Sequence, residues 1–91
     1  MYKDRGWAYV YVLNCNNLYK IGVSKNVDRR IKQLTKMPYP IKCEFKWWRP
    51  NPYQIEALFH DLLSEKRING EWFNLNMDDL DYIRYMMSFG L

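Results

Sequence analysis

Glu56 and His60 stand four residues apart, a separation that brings two side chains to one face of a helix. A carboxylate and an imidazole so placed can share a metal ion or a proton. Two groups are a weak signal for a metal site, and a lone histidine is more often a packed or hydrogen-bonded one; the glutamate likewise reads as an exposed first-turn residue favoured by the helix dipole. Arg29 and Arg30 offer guanidinium forks, each able to meet two oxygens of a phosphoryl group at once; a solvated helix face explains them as well. Cys15 lies among Asn14, Asn16 and Asn17, a turn signature, and no Asp or Asn visibly orients His60 toward a thiol, which speaks against a nucleophilic cysteine. Cys15 and Cys43 also lack the spacing of zinc ligands.

The charge that surrounds these residues is uneven. Residues 1–50 carry seven lysines and four arginines against Asp4, Asp28 and Glu44, a net +8. Residues 51–91 carry Lys66, Arg67 and Arg84 against four aspartates and three glutamates, a net −4. The total of +4 hints at an anionic partner, and the division suits phosphate binding on one side with carboxylate chemistry or solubility on the other. Two solvated surfaces that differ by chance fit the same count. At 91 residues one domain is expected over 1–91, with 48% hydrophobic residues to form a core. Sixteen aromatics are many for that length, more than packing alone asks for. Two cysteines are too few for a disulfide scaffold and read as free thiols in a reducing compartment. Met1 to Arg5 leads into no apolar run, and no stretch approaches the roughly 18 apolar residues of a membrane span. A soluble, cytoplasmic protein is expected, with no membrane partner.

The elements that must position these side chains follow from periodicity. Trp7–Leu13 and Leu18–Val23 are rich in aromatic and β-branched residues and flank the asparagine turn, which predicts a β-hairpin. Ser24 or Asn26 can cap a helix with Val27, Ile31 and Leu34 on one face, ended by Met37-Pro38-Tyr39-Pro40. Ile41–Trp48 reads as a third strand with Ile41, Cys43, Phe45 and Trp47 on one face and Lys42, Glu44 and Lys46 on the other. Asn51-Pro52 opens a second helix, striped by Ile55, Leu58, Phe59, Leu62 and Leu63 and running to about Arg67. Glu71–Leu75 is briefly extended, and Asn76 with Asp78 and Asp79 starts a last helix over about 77–88. The predicted order is β-β-α-β-α-(β)-α, an α+β fold with a small antiparallel sheet of about three strands flanked by helices.

Tyr9-Val10-Tyr11, then Tyr19-Lys20-Ile21-Gly22, Arg30 ten positions after Lys20, Glu56 on a helix, and Gly70-Glu71-Trp72-Phe73 resemble the GIY-YIG nuclease superfamily. The similarity is to its small phage-type branch with a YKIG second motif, and it covers roughly residues 7–75. The resemblance implies that Tyr11 helps activate the attacking water, that Arg30 holds charge developing on the phosphate, and that Glu56 binds the metal, Mg²⁺ or Mn²⁺. Lys20 departs from the family pattern by standing where the second motif usually has its tyrosine. An ammonium there would favour a Tyr11 phenolate, whose pKa of about 10 is otherwise high for a base. His60 is expected to support the site through a hydrogen bond to Glu56 or the phosphate. Gly70-Glu71-Trp72-Phe73 resembles the branch's closing motif, with Trp72 and Phe73 read as packing; Asn69 and Asn74 are both candidates for the family's site asparagine. Tyr19 is a candidate hydroxyl behind the site.

The implied function is a metal-dependent endonuclease that hydrolyses DNA phosphodiesters, one strand per site, so that double-strand cleavage needs a homodimer or two successive nicks. Lys25, Arg29, Lys32, Lys36, Lys42, Lys46 and Arg49 could track phosphates, while Trp47, Trp48 or Tyr39 could stack on bases. Two other readings are open: a catalytically inactive nucleic-acid-binding module of the same fold, and a small phage-type regulator that binds a protein.

Overall fold

The computed structural model describes residues 6–34 and 36–91. The reading of the N-terminal start therefore lies outside the described residues. The hairpin pairs β1 (Ala8–Cys15) with β2 (Leu18–Ser24), and its turn uses Asn16 and Asn17 at φ of 52° and 65°. Both are left-handed conformations that asparagine tolerates better than most residues, and the Asn14 side chain accepts the Asn17 N–H at 2.9 Å. Of the two candidate caps, Asn26 caps α1 (Val27–Gln33) by accepting the Arg29 N–H. That helix ends at Gln33, before the proline segment, with Leu34 as its cap.

β3 (Ile41–Arg49) pairs antiparallel with β1 and forms one edge of the sheet. After β3, α2 (Pro52–Leu62) begins with proline in its first turn and is shorter than the expected run to Arg67. Ser64–Lys66 tighten into a 3₁₀ turn, and Arg67 opens a strand instead. β4 (Arg67–Asn69) and β5 (Trp72–Phe73) then extend the sheet to five antiparallel strands in the order β3-β1-β2-β5-β4. The expected three strands are thus joined by β5, which lies in the brief extended segment expected over Glu71–Leu75, and by β4, whose three residues are too few to show an alternating pattern. α3 (Met77–Phe89) starts with a capping box in which Asn76 and Asp79 satisfy each other's backbone N–H groups.

The sheet buries both faces. On one, Val10, Val12, Ile21 and Phe73 pack under Ile55, Phe59 and Leu63 of α2 and its end, and under Leu80, Ile83 and Met87 of α3. On the other, Tyr11 and Leu13 pack with Val27, supported by Ile31, Leu34, Ile41 and Cys43. The expected alternation of β3 breaks here. The pairing shifts between Val12 and Leu13, which face Phe45 and Cys43, so Glu44 is an extra residue. One inserted residue reverses every side chain beyond it. Phe45 and Trp47 therefore join the main core, whereas Ile41 and Cys43 join the smaller cluster. Glu44 itself accepts a 2.7 Å hydrogen bond from the Asn14 amide. Cys15 and Cys43 are free thiols, and no helix among the described residues is long and apolar enough to cross a membrane.

Candidate active site

Strand register decides which side chains share the smaller-cluster face. Tyr11 pairs with Gly22, Leu13 with Lys20, and Lys20 in turn with Trp72. Paired residues point to the same side, so Tyr11, Lys20 and Trp72 lie on one face of three adjacent strands. Gly22 is what lets the Tyr11 ring lie across β2. A Cβ at position 22 would come within 2.6 Å of the ring's Cζ and would also collide with the hydroxyl. The phenol is 1% exposed, and its burial raises its pKa above the ordinary 10.0.

Three charged residues act on that phenol. Arg30, carried by α1, donates from Nη1 to Gln33 Oε1 at 3.3 Å and lies near enough to the hydroxyl for its guanidinium to favour the phenolate. Glu71 and Glu56 oppose it. Burial outweighs Arg30, so the net displacement is upward. Lys20, expected to favour a Tyr11 phenolate, is on the Tyr11 face and has a partner of its own there. Its Nζ donates to Glu71 Oε1 at 2.7 Å, and the Trp72 ring lies 5.7 Å from the ammonium. Lys20 is the one buried charged residue among those described, at 6% exposure, while the Glu71 side chain is 45% exposed. A buried ammonium needs such a counter-ion.

Glu56 projects from α2, half-buried, and makes no hydrogen bond or ion pair among the described residues. Its carboxyl pKa is raised above the usual 4.5, first by burial and then by the negative charge of Glu71, with His60 and Lys20 pulling the other way. Tyr11, Lys20, Arg30, Glu56 and Glu71 thus form one electrostatically linked group drawn from β1, β2, α1, α2 and the turn before β5. Glu71 is the member missed in sequence reasoning. The signal available for it was its place beside Trp72, two residues that the closing motif joins.

His60 sits close enough to influence Glu56, yet its ring nitrogens are engaged elsewhere. Arg67 Nη2 donates to Nδ1 at 2.9 Å, and a guanidinium can only donate. The remaining proton is therefore on Nε2, which donates to the Ile21 carbonyl at 2.9 Å, while the ring packs edge-on against Phe73 at 5.0 Å. The expected hydrogen bond from His60 to Glu56 is replaced by one that ties α2 to β2.

Of the candidate gripping residues, Lys25, Arg29, Lys32, Lys36, Lys42 and Lys46 are exposed. Arg49 is not available in the same way, since Nε and Nη2 donate to the carbonyls of Leu91 and Met87 at 2.9 and 2.8 Å. Trp47 stacks on Phe45 at 5.6 Å against the main core. Tyr39 lines an apolar cavity of about 370 Å³ with Ile31, Leu34 and Pro38, and Trp48 pairs with Tyr9 on the Tyr11 face. Tyr19 turns into the main core. Asn69 lies in β4, and Asn74 lines a polar cavity of about 450 Å³ with Lys66 and Asn76; neither side chain hydrogen-bonds to the five-residue group.

No three of His, Cys, Asp and Glu cluster as ready metal ligands among the described residues. The donors that do face the group are the hard carboxylate oxygens of Glu56 and Glu71. An ionised Glu56 disfavoured by burial and by a like charge suits a hard divalent cation, which keeps most of its own water and needs few protein ligands.

A small α+β domain with a buried, charge-ringed tyrosine on one sheet face is what these observations define. The chain matches the T5orf172 domain over residues 6–88 and belongs to that family, which is associated with phage nuclease-type domains. Neither a curated protein nor a solved structure matches the chain significantly.

Proposed function

We propose that the protein is a metal-dependent endonuclease of GIY-YIG type that hydrolyses DNA phosphodiester bonds, one strand per site. The observation that supports this reading is that Arg30 and Glu56, from two further elements, both lie within electrostatic reach of Tyr11, a phenol that a glycine makes room for. The scissile phosphate binds against Arg30, whose guanidinium stabilises the charge that grows on the phosphoryl oxygens. In the fraction of molecules whose Tyr11 has released its proton to solvent, the attacking water hydrogen-bonds to the phenolate oxygen, which takes the water's proton as it adds in line to phosphorus. Lys20 fixes Glu71 and keeps positive charge beside the phosphate path. Glu56, with Glu71 nearby, would hold Mg²⁺ or Mn²⁺; when bound, the ion would supply positive charge to the phosphate and the leaving oxygen.

Two observations favour the inactive-module reading: burial raises the Tyr11 pKa still further above neutrality, and the Lys20 ammonium is paired with Glu71. Supercoiled plasmid distinguishes the two. Metal-dependent nicking that EDTA stops, and that Glu56→Ala and Arg30→Ala each reduce by roughly a hundredfold or more, supports the enzyme. Salt-sensitive binding of the plasmid with no nicking in Mg²⁺ or Mn²⁺ supports the module instead.

A further inference from the structure

The register places a second group of residues next to the Tyr11 cluster. Tyr9 pairs with Trp48 and Tyr11 with Lys46, so Trp48 and Lys46 lie on the Tyr11 face, on the free edge strand β3. Tyr9 braces the indole edge-on with ring centroids 4.8 Å apart, and the Lys46 ammonium sits 4.9 Å from the Tyr9 ring centre. Trp48 is half-buried and Lys46 exposed. The indole is thus held in place without being covered, and a cation stands between it and the catalytic group. An aromatic surface beside a phosphate-directed cation fits one ligand chemistry, a nucleobase with its adjoining phosphate.

The chemistry of stacking narrows the ligand further. A base can lie flat on the indole only when its own face is free of its neighbour in the duplex, so a base held on Trp48 has left the stack.

We propose that Trp48, braced by Tyr9 and flanked by Lys46, is a stacking platform for one unpaired base next to the scissile phosphate, so that the substrate class is DNA interrupted by unpaired nucleotides rather than continuous duplex. This rests on the DNA reading above and adds to it a choice among DNA structures. Duplex DNA has no free base to offer, and a bulge or single strand does.

The test is anisotropy titration of the full chain, in EDTA at fixed salt, against short labelled single strands, blunt duplex, duplex with a central bulge, and the same bulge made abasic. The single strand and the bulge are expected to bind more tightly than the blunt duplex, and the abasic bulge to lose that advantage. Trp48→Ala should weaken binding of the bulge roughly five- to hundredfold, the effect of losing one base–aromatic stack, and leave blunt duplex nearly unchanged. Trp48→Phe should restore most of the difference, and matching melting curves exclude misfolding as its source. Equal affinity for all four oligonucleotides, or an equal loss on all four in Trp48→Ala, overturns the platform while DNA binding stands. Absence of binding to every oligonucleotide at low salt overturns the DNA reading itself.

Discussion

Tyr11 is pulled in two directions, and the balance has a measurable consequence. Burial raises its pKa above 10.0 while the Arg30 guanidinium resists. Below that pKa the phenolate fraction grows tenfold with each pH unit, so a rate that depends on Tyr11 accepting the water's proton climbs without a plateau from about pH 6 to about pH 10. Initial nicking rates across that range should give a logarithmic slope near one. Tyr11→Phe should cost roughly 10²- to 10⁴-fold and flatten the slope; a plateau near neutrality would assign the proton to another group. The same shift sets the upper limit of the series. The folded state keeps a proton that the unfolded chain releases above its pKa of 10.0, so the stability it contributes is complete below that pH and falls as pH rises further. Tyr11, Lys20, Arg30 and Glu56 were all legible in the sequence because a motif order marks them. Glu71 stands inside the closing motif without a role attached to it, and only the pairing of its neighbour Trp72 with Lys20 brings its carboxylate to the ammonium.

The elements were legible where their pattern ran long enough. The hairpin, the three helices and β3 each show a period or a cap, and β5 falls within the brief extended segment expected over Glu71–Leu75, whereas β4 is defined by its pairing partner alone. The bulge at Glu44 was hidden for a related reason. Ile41, Cys43, Phe45 and Trp47 keep perfect alternation in sequence, and only the partner strand reveals that one residue has been skipped. That skip decides which aromatics face the site, sending Trp47 to the core and leaving Trp48 beside Tyr9. Arg49 next to them illustrates how an element can claim a residue that charge alone assigns to ligand. Its guanidinium satisfies carbonyls at the C-terminal end of α3, where a cation also complements the helix dipole. Arg49→Ala should lower unfolding free energy by about 1–3 kcal/mol, the worth of charged hydrogen bonds, and leave the salt dependence of DNA binding unchanged. Lys46→Ala should do the reverse, holding the melting temperature and reducing the slope of log K against log salt by about 0.7–0.9. Urea melts and a salt titration of each variant decide the matter. An Arg49→Ala slope change equal to that of Lys46→Ala would return Arg49 to the phosphate contacts.

Across the whole molecule, the basic 1–50 and the acidic 51–91 segments do not form two separate sides of a site. Lys20 and Arg30 come from the first, Glu56 and Glu71 from the second, and the sheet interleaves them because β5 returns to pair with β2. The outcome is one linked cluster, with Tyr11 and Lys20 on one sheet face and Glu56 supplied by the helix that covers the other, in a body with extents of 39 × 28 × 18 Å. On the mechanism proposed, a single Tyr11 and a single Arg30 serve one phosphodiester at a time, so a lone copy would break one strand and have to release or turn before it reached the other. Supercoiled plasmid should therefore pass almost entirely to nicked circle before linear product is seen. If linear product arises from two copies acting opposite one another, its initial rate should increase with about the square of protein concentration, while the nicking rate increases in proportion. Both rates come from one gel time course at several protein concentrations under limiting enzyme. Linear DNA formed from the earliest times, in constant ratio to nicked circle, would mean instead that two sites arrive together and that the acting unit is a preassembled pair.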